Sequence, residues 1–244
     1  MTVVVAIKCS DGDVIACDSM LTVGNFAQNG QKIHILPGPP AQIFAFAGHL
    51  DLADRFRAEA EHHSPHFDAN SKLAYVIAIS RAMVENLQAT AREPLKADLI
   101  TVLSFVKNDV PETCIFMHGS QPRFLDRHHF YQAIGSGSTA AMPFLKFLID
   151  IFLPTRQPTV AEGKQLAVWA VKYAIETMSG GVGGTIDLAT IQRNEGVWEL
   201  RELSRAETQE AEEAMSGMKL ALLAWKEEGQ ADGVVIPEPP EEHT

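Results

Sequence analysis

The sequence predicts an α+β fold in which two packed β-sheets carry helices on both outer faces. Two observations indicate this class: β-branched and apolar strand segments come in two groups along the chain, and a pair of amphipathic helical segments follows each group. At 244 residues, the chain can bury a substantial core. We expect one domain over residues 1–228, and then an acidic, proline-rich tail over residues 229–244 with too little apolar content to pack.

The first group of strands opens the chain. Residues 3–8 and 14–17 are rich in valine and isoleucine and flank the turn Ser10-Asp11-Gly12-Asp13, so they predict a hairpin that returns Asp18 to the vicinity of Thr2. A third strand is expected over residues 32–36 and a fourth over residues 42–47. Helical spacing of apolar residues then predicts helices over about residues 49–61 and 71–92.

The second group follows the same plan. Strands are predicted over residues 99–106, 113–117 and 131–134, then helices over 139–153 and 160–178, and then strands over 185–192 and 197–203. A last helix begins at the capping box Ser204-Arg205-Ala206-Glu207. Its apolar residues fall on one stripe: Ala211, Met215, Met218, Leu222 and Trp225.

Charge and cysteine content exclude several classes of partner. The net charge of −11 argues against nucleic acids and anionic membranes, because both attract basic surfaces. Three cysteines without a signal peptide fit a reducing compartment, so we expect a cytoplasmic protein. No cysteines or carboxylates stand at metal-ligand spacing from the clustered histidines at 62, 63, 66, 128 and 129, so we interpret these histidines as loop residues. We therefore expect no metal and no cofactor.

A threonine directly follows the initiator methionine. Removal of Met1 would expose a free α-amine, with an ordinary pKa of about 7.7 to 8.0, on the residue that carries the hydroxyl. Such an amine can take the proton of the hydroxyl, so Thr2 alone could supply both a nucleophile and its general base. Met-Thr before a strand is common in proteins without this chemistry, so the dipeptide alone does not decide the function.

Six motifs in order resemble the catalytic β-type subunits of proteasomes and their bacterial relatives. They are Thr2, the stretch Asp11 to Asp18, Gly24-Asn25 with Gln31-Lys32-Ile33, Phe46-Ala47-Gly48, Gly135-Ser136-Gly137-Ser138, and the stretch Val182 to Leu188. The resemblance covers residues 2 to about 200 and implies the four-layer αββα sandwich of N-terminal-nucleophile hydrolases. Because no propeptide precedes Thr2, we expect a bacterial member, such as the betaproteobacterial proteasome homologue.

The resemblance also implies roles for individual residues. Thr2 corresponds to the nucleophile, Lys32 to the lysine that favours its deprotonation, and Asp18 to the partner of that lysine. Gly48 corresponds to the oxyanion-binding backbone N–H. Ser136 corresponds to a serine beside the α-amine. Glu176 and Ser179 are candidates for the acid and serine that complete the site, but the glycines that follow them allow two alignments.

Other positions remain open in the same way. By register, Leu21, Gly30, Phe46 and Leu50 line a pocket for apolar side chains, although Phe46 is equally well explained as a core residue. His49 stands where the family has a small residue and could crowd the site or face solvent. The connection from Asn25 to Lys32 is about two residues shorter than is usual in the family.

The resemblance implies a threonine endopeptidase that encloses a chamber in stacked rings. We expect a homo-oligomer of fourteen subunits, with twelve as the alternative, acting on unfolded polypeptides and served by an ATP-dependent unfoldase or another cap. Two other functions remain: a non-catalytic ring subunit, and an N-terminal-nucleophile amidase acting on a small molecule. An N-terminal helix would indicate the former and a monomer or dimer the latter.

Overall fold

The computed structural model describes residues 2–23, 26–64, 71–90, 97–178 and 181–231, which form twelve strands and five helices. The first half comprises β1 (Val4–Lys8), β2 (Gly12–Asp18), β3 (Met20–Val23), β4 (Phe26–Asn29), β5 (Ile33–Leu36), β6 (Gln42–Gly48), α1 (Leu50–His63) and α2 (Lys72–Ala89). The second half comprises β7 (Leu99–Lys107), β8 (Val110–Met117), β9 (Gln121–Phe124), β10 (Tyr131–Ile134), α3 (Ser138–Phe152), α4 (Val160–Thr177), β11 (Ile186–Asn194), β12 (Val197–Glu202) and α5 (Arg205–Ala231).

Two five-stranded antiparallel sheets form the centre of the fold. The first has the order β10-β1-β2-β11-β12, so the opening strand lies between its hairpin partner and a strand from the middle of the chain. Its register pairs Val4 with Cys17 on one side and with Ile134 on the other. The second sheet has the sequential order β5-β6-β7-β8-β9. The register of the first sheet brings the residues just before β1 beside those just after β10.

Three apolar clusters separate four layers. One cluster, including Ile15 and Ile43, lies between the two sheets. A second packs α1 and α2 on the outer face of the sequential sheet, and a third packs α3, α4 and α5 against the first sheet. Alternation along β1 explains this arrangement, because Val3, Val5 and Ile7 face the helices while Val4 and Ala6 face the other sheet. The predicted α+β class and four-layer αββα sandwich are confirmed.

The structure differs from the sequence-based expectation in short strands. The third strand is β3, not the segment at Lys32, because residues 20–23 and 26–29 pair as a separate two-stranded ribbon. Strand β9 was not expected either. Four-residue strands with polar residues give too short a periodic signal to be recognised. Helix α5 continues to Ala231, beyond the predicted start of the tail at residue 229. None of the described helices is both long and apolar enough to cross a membrane.

Candidate active site

Thr2 lies at the end of β1, beside the turn that follows β10. Its backbone nitrogen donates to Ser136 Oγ at 3.2 Å, and its carbonyl accepts from the Gly137 N–H at 3.0 Å. Gly137 is also the N-cap of α3, so the N-terminus of this helix adjoins Thr2. A stretch 134 residues further along the chain therefore holds Thr2 at both ends of its backbone.

Gly135 permits this close approach of two chain segments. Its φ of +82° is in the region that side chains rarely adopt. A methyl group in its place would stand 2.3 Å from the Thr2 carbonyl oxygen and 3.1 Å from the Cβ of Ala47. The end of β6 therefore lies next to Thr2, on the other side of Gly135.

A buried ion pair lies immediately behind Thr2. Lys32 Nζ donates to Asp18 Oδ1 at 2.8 Å, and both side chains are fully buried. The same oxygen accepts from the backbone N–H of Val3 at 2.9 Å. Burying two charges is costly unless they are paired and further hydrogen-bonded, as they are here. Thus Asp18 connects the lysine to the residue that follows Thr2.

The loop before β11 completes the shell around Asp18. Asp18 Oδ2 accepts from the Gly183 N–H at 3.1 Å, so the carboxylate has three donors within the described part of the chain. The Ser19 hydroxyl accepts from the Thr185 N–H at 2.8 Å and fixes the same loop. Sequence reasoning missed Ser19, and used Gly183 and Thr185 only as part of a motif. A Gly-Gly-Thr run before a strand was the available signal.

Gly48 ends β6 with a φ of +121°. A methyl group there would stand 2.2 Å from the backbone oxygen of Asp98, so the chain requires glycine. The next residue, His49, is the exposed N-cap of α1 and donates its backbone N–H to the same oxygen at 2.9 Å. The exposed position of His49 agrees with the interpretation that its side chain faces solvent and does not crowd the site.

The two residues expected to complete the site lie differently. Glu176, near the end of α4, is exposed and its Oε2 accepts from Lys219 Nζ of α5 at 2.6 Å. Among the described residues, no hydrogen bond joins it to Thr2, Ser136 or Asp18. Ser179 lies outside the described residues. The role of Glu176 in the site therefore stays a prediction, and its contact with α5 argues for a structural role.

The four residues expected to line a pocket fall at different depths. Phe46 is buried in the cluster beneath α1 and α2, where its ring stacks on Phe44 with centroids 5.9 Å apart. Leu21 packs against that cluster, and its side chain lies over Gly30, where a methyl group would stand 2.2 Å from Cδ1. Leu50 is 45% exposed. Burial favours the core interpretation of Phe46, and leaves Leu21 and Leu50 nearer the surface.

The cysteines and the other titratable groups near the site do not add a second nucleophile or a metal site among the described residues. Burial raises the pKa of the thiols of Cys9, Cys17 and Cys114, which keeps them protonated and poor nucleophiles. Burial, and then the charge of Glu202, also raises the pKa of Asp187, near the Lys32 pair. The described residues contain no group of three or more histidine, cysteine or carboxylate side chains that could hold a metal ion.

Comparison with known proteins agrees with this architecture. The sequence model of the proteasome subunit family matches residues 2–191. A search of curated proteins gave no match.

Three solved structures share the fold at low sequence identity. The Gly-1 mutant of Anbu from Hyphomicrobium sp. strain MC1 is 16% identical over 98% of this chain and 100% of its own, with a TM-score of 0.72. Anbu from Yersinia bercovieri, described as an ancestral β-subunit, is 14% identical over 98% and 99%, with a TM-score of 0.70. The helically assembled Anbu complex of Pseudomonas aeruginosa is 15% identical over 99% and 100%, with a TM-score of 0.69. With the family match over most of its length, this chain belongs to the proteasome subunit family.

Proposed function

We propose that this chain is a threonine endopeptidase subunit whose nucleophile is Thr2 once Met1 has been removed. The observation that carries the proposal is the buried Lys32–Asp18 pair, whose shared carboxylate oxygen also holds the Val3 N–H directly behind Thr2. A buried lysine beside a buried strand end is expensive to maintain for structure alone. A positive charge at this place favours an alkoxide over a hydroxyl on the neighbouring residue.

The chemistry follows from these positions. The Thr2 α-amine takes the hydroxyl proton as the oxygen attacks a peptide carbonyl, and the backbone N–H of Gly48 stabilises the resulting oxyanion. The C–N bond then breaks, and the departing amine takes the proton from the Thr2 ammonium. Water then attacks the remaining ester and gives one proton to the α-amine. The ester C–O bond breaks, the acid leaves, and the Thr2 oxygen takes that proton back from the ammonium to restore the hydroxyl.

Ser136 has a positioning role in this scheme. Its hydroxyl stands 3.2 Å from the Thr2 nitrogen, which becomes the α-amine when Met1 is absent. A hydroxyl both donates and accepts, so it can orient the neutral amine and still accept from the ammonium. This property suits a group that must remain bonded to the nitrogen in both protonation states.

The proposed substrate and assembly rest on the family resemblance. We propose that copies of this chain form a closed double ring of fourteen or twelve subunits in the cytoplasm, with Thr2 facing an internal chamber. Entry would then be limited to unfolded polypeptides, delivered by an ATP-dependent unfoldase or another cap. Leu21 and Leu50 favour cleavage after apolar residues, because both are apolar and lie near the surface.

One observation favours a second candidate, the non-catalytic ring subunit. Glu176, the candidate for the acid that the family resemblance implies, accepts a hydrogen bond from Lys219 of α5, and this contact supports a structural role for Glu176. A ring subunit of this kind would keep the fold and the assembly without peptide cleavage. The small-molecule amidase is distinguished by its oligomeric state. A monomer or dimer would indicate the amidase, because it cannot enclose a chamber.

A peptide epoxyketone tests the chemistry directly, because its reaction needs a hydroxyl and a free amine on one residue. We expect the intact mass of the protein to lack Met1 and to gain one inhibitor per chain. The Thr2→Ala variant should also lose Met1 but form no adduct, which makes it the matched control. Retained Met1, or wild-type protein without an adduct, would reject the catalytic proposal and favour the ring subunit.

A further inference from the structure

The apolar stripe of α5 is only partly covered by the body of the protein. Ala211 and Met215 are buried in the cluster with α4, and the Trp169 indole N–H donates to the Ala211 carbonyl at 2.8 Å. Leu222 and Trp225 continue the same stripe at helical spacing. They are nevertheless 57% and 58% exposed. The stripe thus passes from a packed region into an uncovered one.

Helix α4 packs along the first part of α5, and the apolar stripe of α5 becomes exposed where α4 ends. Lys172 of α4 pairs with Glu212 at 3.3 Å, and Glu176 pairs with Lys219 at 2.6 Å, so the two helices run side by side in the same direction. Helix α4 ends at Thr177, one residue after the second pair. All residues from Lys219 to Lys226 are exposed, and we call residues 219–226 the projecting segment.

The projecting segment is apolar on more than one side. Leu220 and Leu223 point away from the stripe and are 67% and 56% exposed. A helix that is apolar all round is normally buried, whereas a solvated helix keeps charges opposite its apolar face. Between Lys219 and Lys226 the segment carries no charged residue. Its composition therefore fits burial between surfaces better than exposure to water.

The C-terminal tail and an anionic membrane are two other partners that could cover the projecting segment, and neither fits it well. The chain beyond α5, residues 232–244, offers Val234, Val235 and Ile236 as its large aliphatic residues, and the rest is mainly proline and acid. Three aliphatic residues cannot cover both sides of a segment with four large apolar side chains. An anionic membrane is disfavoured by the net charge of −11 and by Glu227 and Glu228 directly after the segment.

We propose that the projecting segment is an assembly surface that packs against a neighbouring copy of this chain. A stable interface buries roughly 800 Å² on each partner, so two helical turns form one part of a larger contact. A relative of the same fold, the Anbu complex of Pseudomonas aeruginosa, is described as a helical assembly. The inference specifies a surface for the proposed assembly and does not depend on the chemistry at Thr2.

Two double variants of the full chain test the proposal, one on each side of the segment: Leu222→Glu with Trp225→Glu, and Leu220→Glu with Leu223→Glu. Sedimentation velocity over a concentration series measures assembly, and thermal melting with circular dichroism measures folding. We expect each variant to keep its helix content and to need roughly a hundredfold more protein to assemble. Val197→Glu, at a 70% exposed apolar position on the β11–β12 hairpin, is the matched control and should assemble as wild type does.

Several outcomes would overturn the proposal. They are a wild-type monomer at all concentrations, unchanged assembly in both double variants, and loss of assembly on deleting residues 232–244, which would place the contact between copies in the tail instead of the projecting segment. Binding of monomeric wild type to phosphatidylglycerol vesicles, lost in the double variants, would identify a membrane instead. Sedimentation and melting do not depend on the reactivity of Thr2. An epoxyketone adduct on a protein that does not assemble would therefore contradict this inference and leave the catalytic proposal intact.

Discussion

The buried ion pair gives the most demanding prediction. Replacing Lys32 by methionine preserves most of the side-chain volume but leaves the Asp18 carboxylate buried without its cation. Two of its three donors, the backbone N–H groups of Val3 and Gly183, would remain. Removing one partner of a buried pair typically costs about 3 to 5 kcal/mol, because the other charge stays unpaired. We expect the free energy of unfolding of Lys32→Met to fall by about this amount.

A double variant that removes both charges distinguishes the cost of an unpaired buried charge from the cost of losing hydrogen bonds. In Asp18→Asn with Lys32→Met no charge is buried, and the amide oxygen can still accept from Val3, while the amide nitrogen loses the bond from Gly183. A neutral hydrogen bond contributes about 1 kcal/mol, so the double variant should lose only about 1 to 2 kcal/mol. Asp18→Asn alone leaves the buried Lys32 ammonium without its carboxylate, so it should also cost about 3 to 5 kcal/mol. The loss in the double variant should therefore be smaller than the sum of the two single losses by at least about 4 kcal/mol in a double-mutant cycle.

The assay is urea unfolding at one fixed protein concentration, because assembly contributes to stability. The exposed pair of Lys146 and Asp150, 2.6 Å apart on α3, is the matched control, and Lys146→Met should cause no measurable loss. A drop below about 1 kcal/mol for Lys32→Met, or a double variant that is less stable than both single ones, would refute the buried-pair reasoning. All variants of the buried pair should also lose peptide cleavage, by roughly a hundredfold or more.

Three further predictions concern the same structure. Thr2→Ser should keep measurable cleavage in a fluorogenic peptide assay, because serine also supplies a hydroxyl and an amine, and complete loss would show that the methyl group is required. Gly135→Ala should lower the unfolding free energy by about 1 to 3 kcal/mol and reduce epoxyketone labelling, because its methyl group would collide with the Thr2 carbonyl; unchanged labelling would contradict the close approach. Burial raises the pKa of Asp13, whose Oδ2 accepts from Ser104 and Thr113, so wild type loses stability as pH rises from the ordinary aspartate pKa through the raised one. Asp13→Asn should therefore gain stability relative to wild type in urea melts between pH 4 and pH 7, and a constant difference would contradict the raised pKa.

Periodicity and turn residues predicted most elements of the fold. Strand β10 was expected at its observed bounds, and α3 and α4 were expected to within one residue at each end, because their apolar spacing is regular and a capping box marks the start of α4. The ribbon of β3 and β4 was not expected. Its strands of four residues carry an outward phenylalanine, Phe26, that is 80% exposed and breaks any amphipathic pattern.

The candidate site was predicted less evenly. The hairpin from Thr2 to Asp18 follows from local sequence, because its turn and its two strands are contiguous. The contact between Ser19 and Thr185 could not be predicted in this way, since it joins residues 166 positions apart. Glu176 shows what a motif cannot contain: the position of α5, which supplies Lys219 as a partner of this carboxylate, while the role of Glu176 at the site stays a prediction.

Local patterns along the chain were enough to predict the layered α+β class and most of the helices and strands, because each depends on neighbouring residues. Which residues meet at Thr2 depends instead on how distant segments pack. The sheet order β10-β1-β2-β11 places Ser136, Asp18 and the loop at Gly183 around one strand end, and the path of β5 brings Lys32 beneath it. Pairing between distant strands is set by burial of whole faces, a property that no single segment encodes.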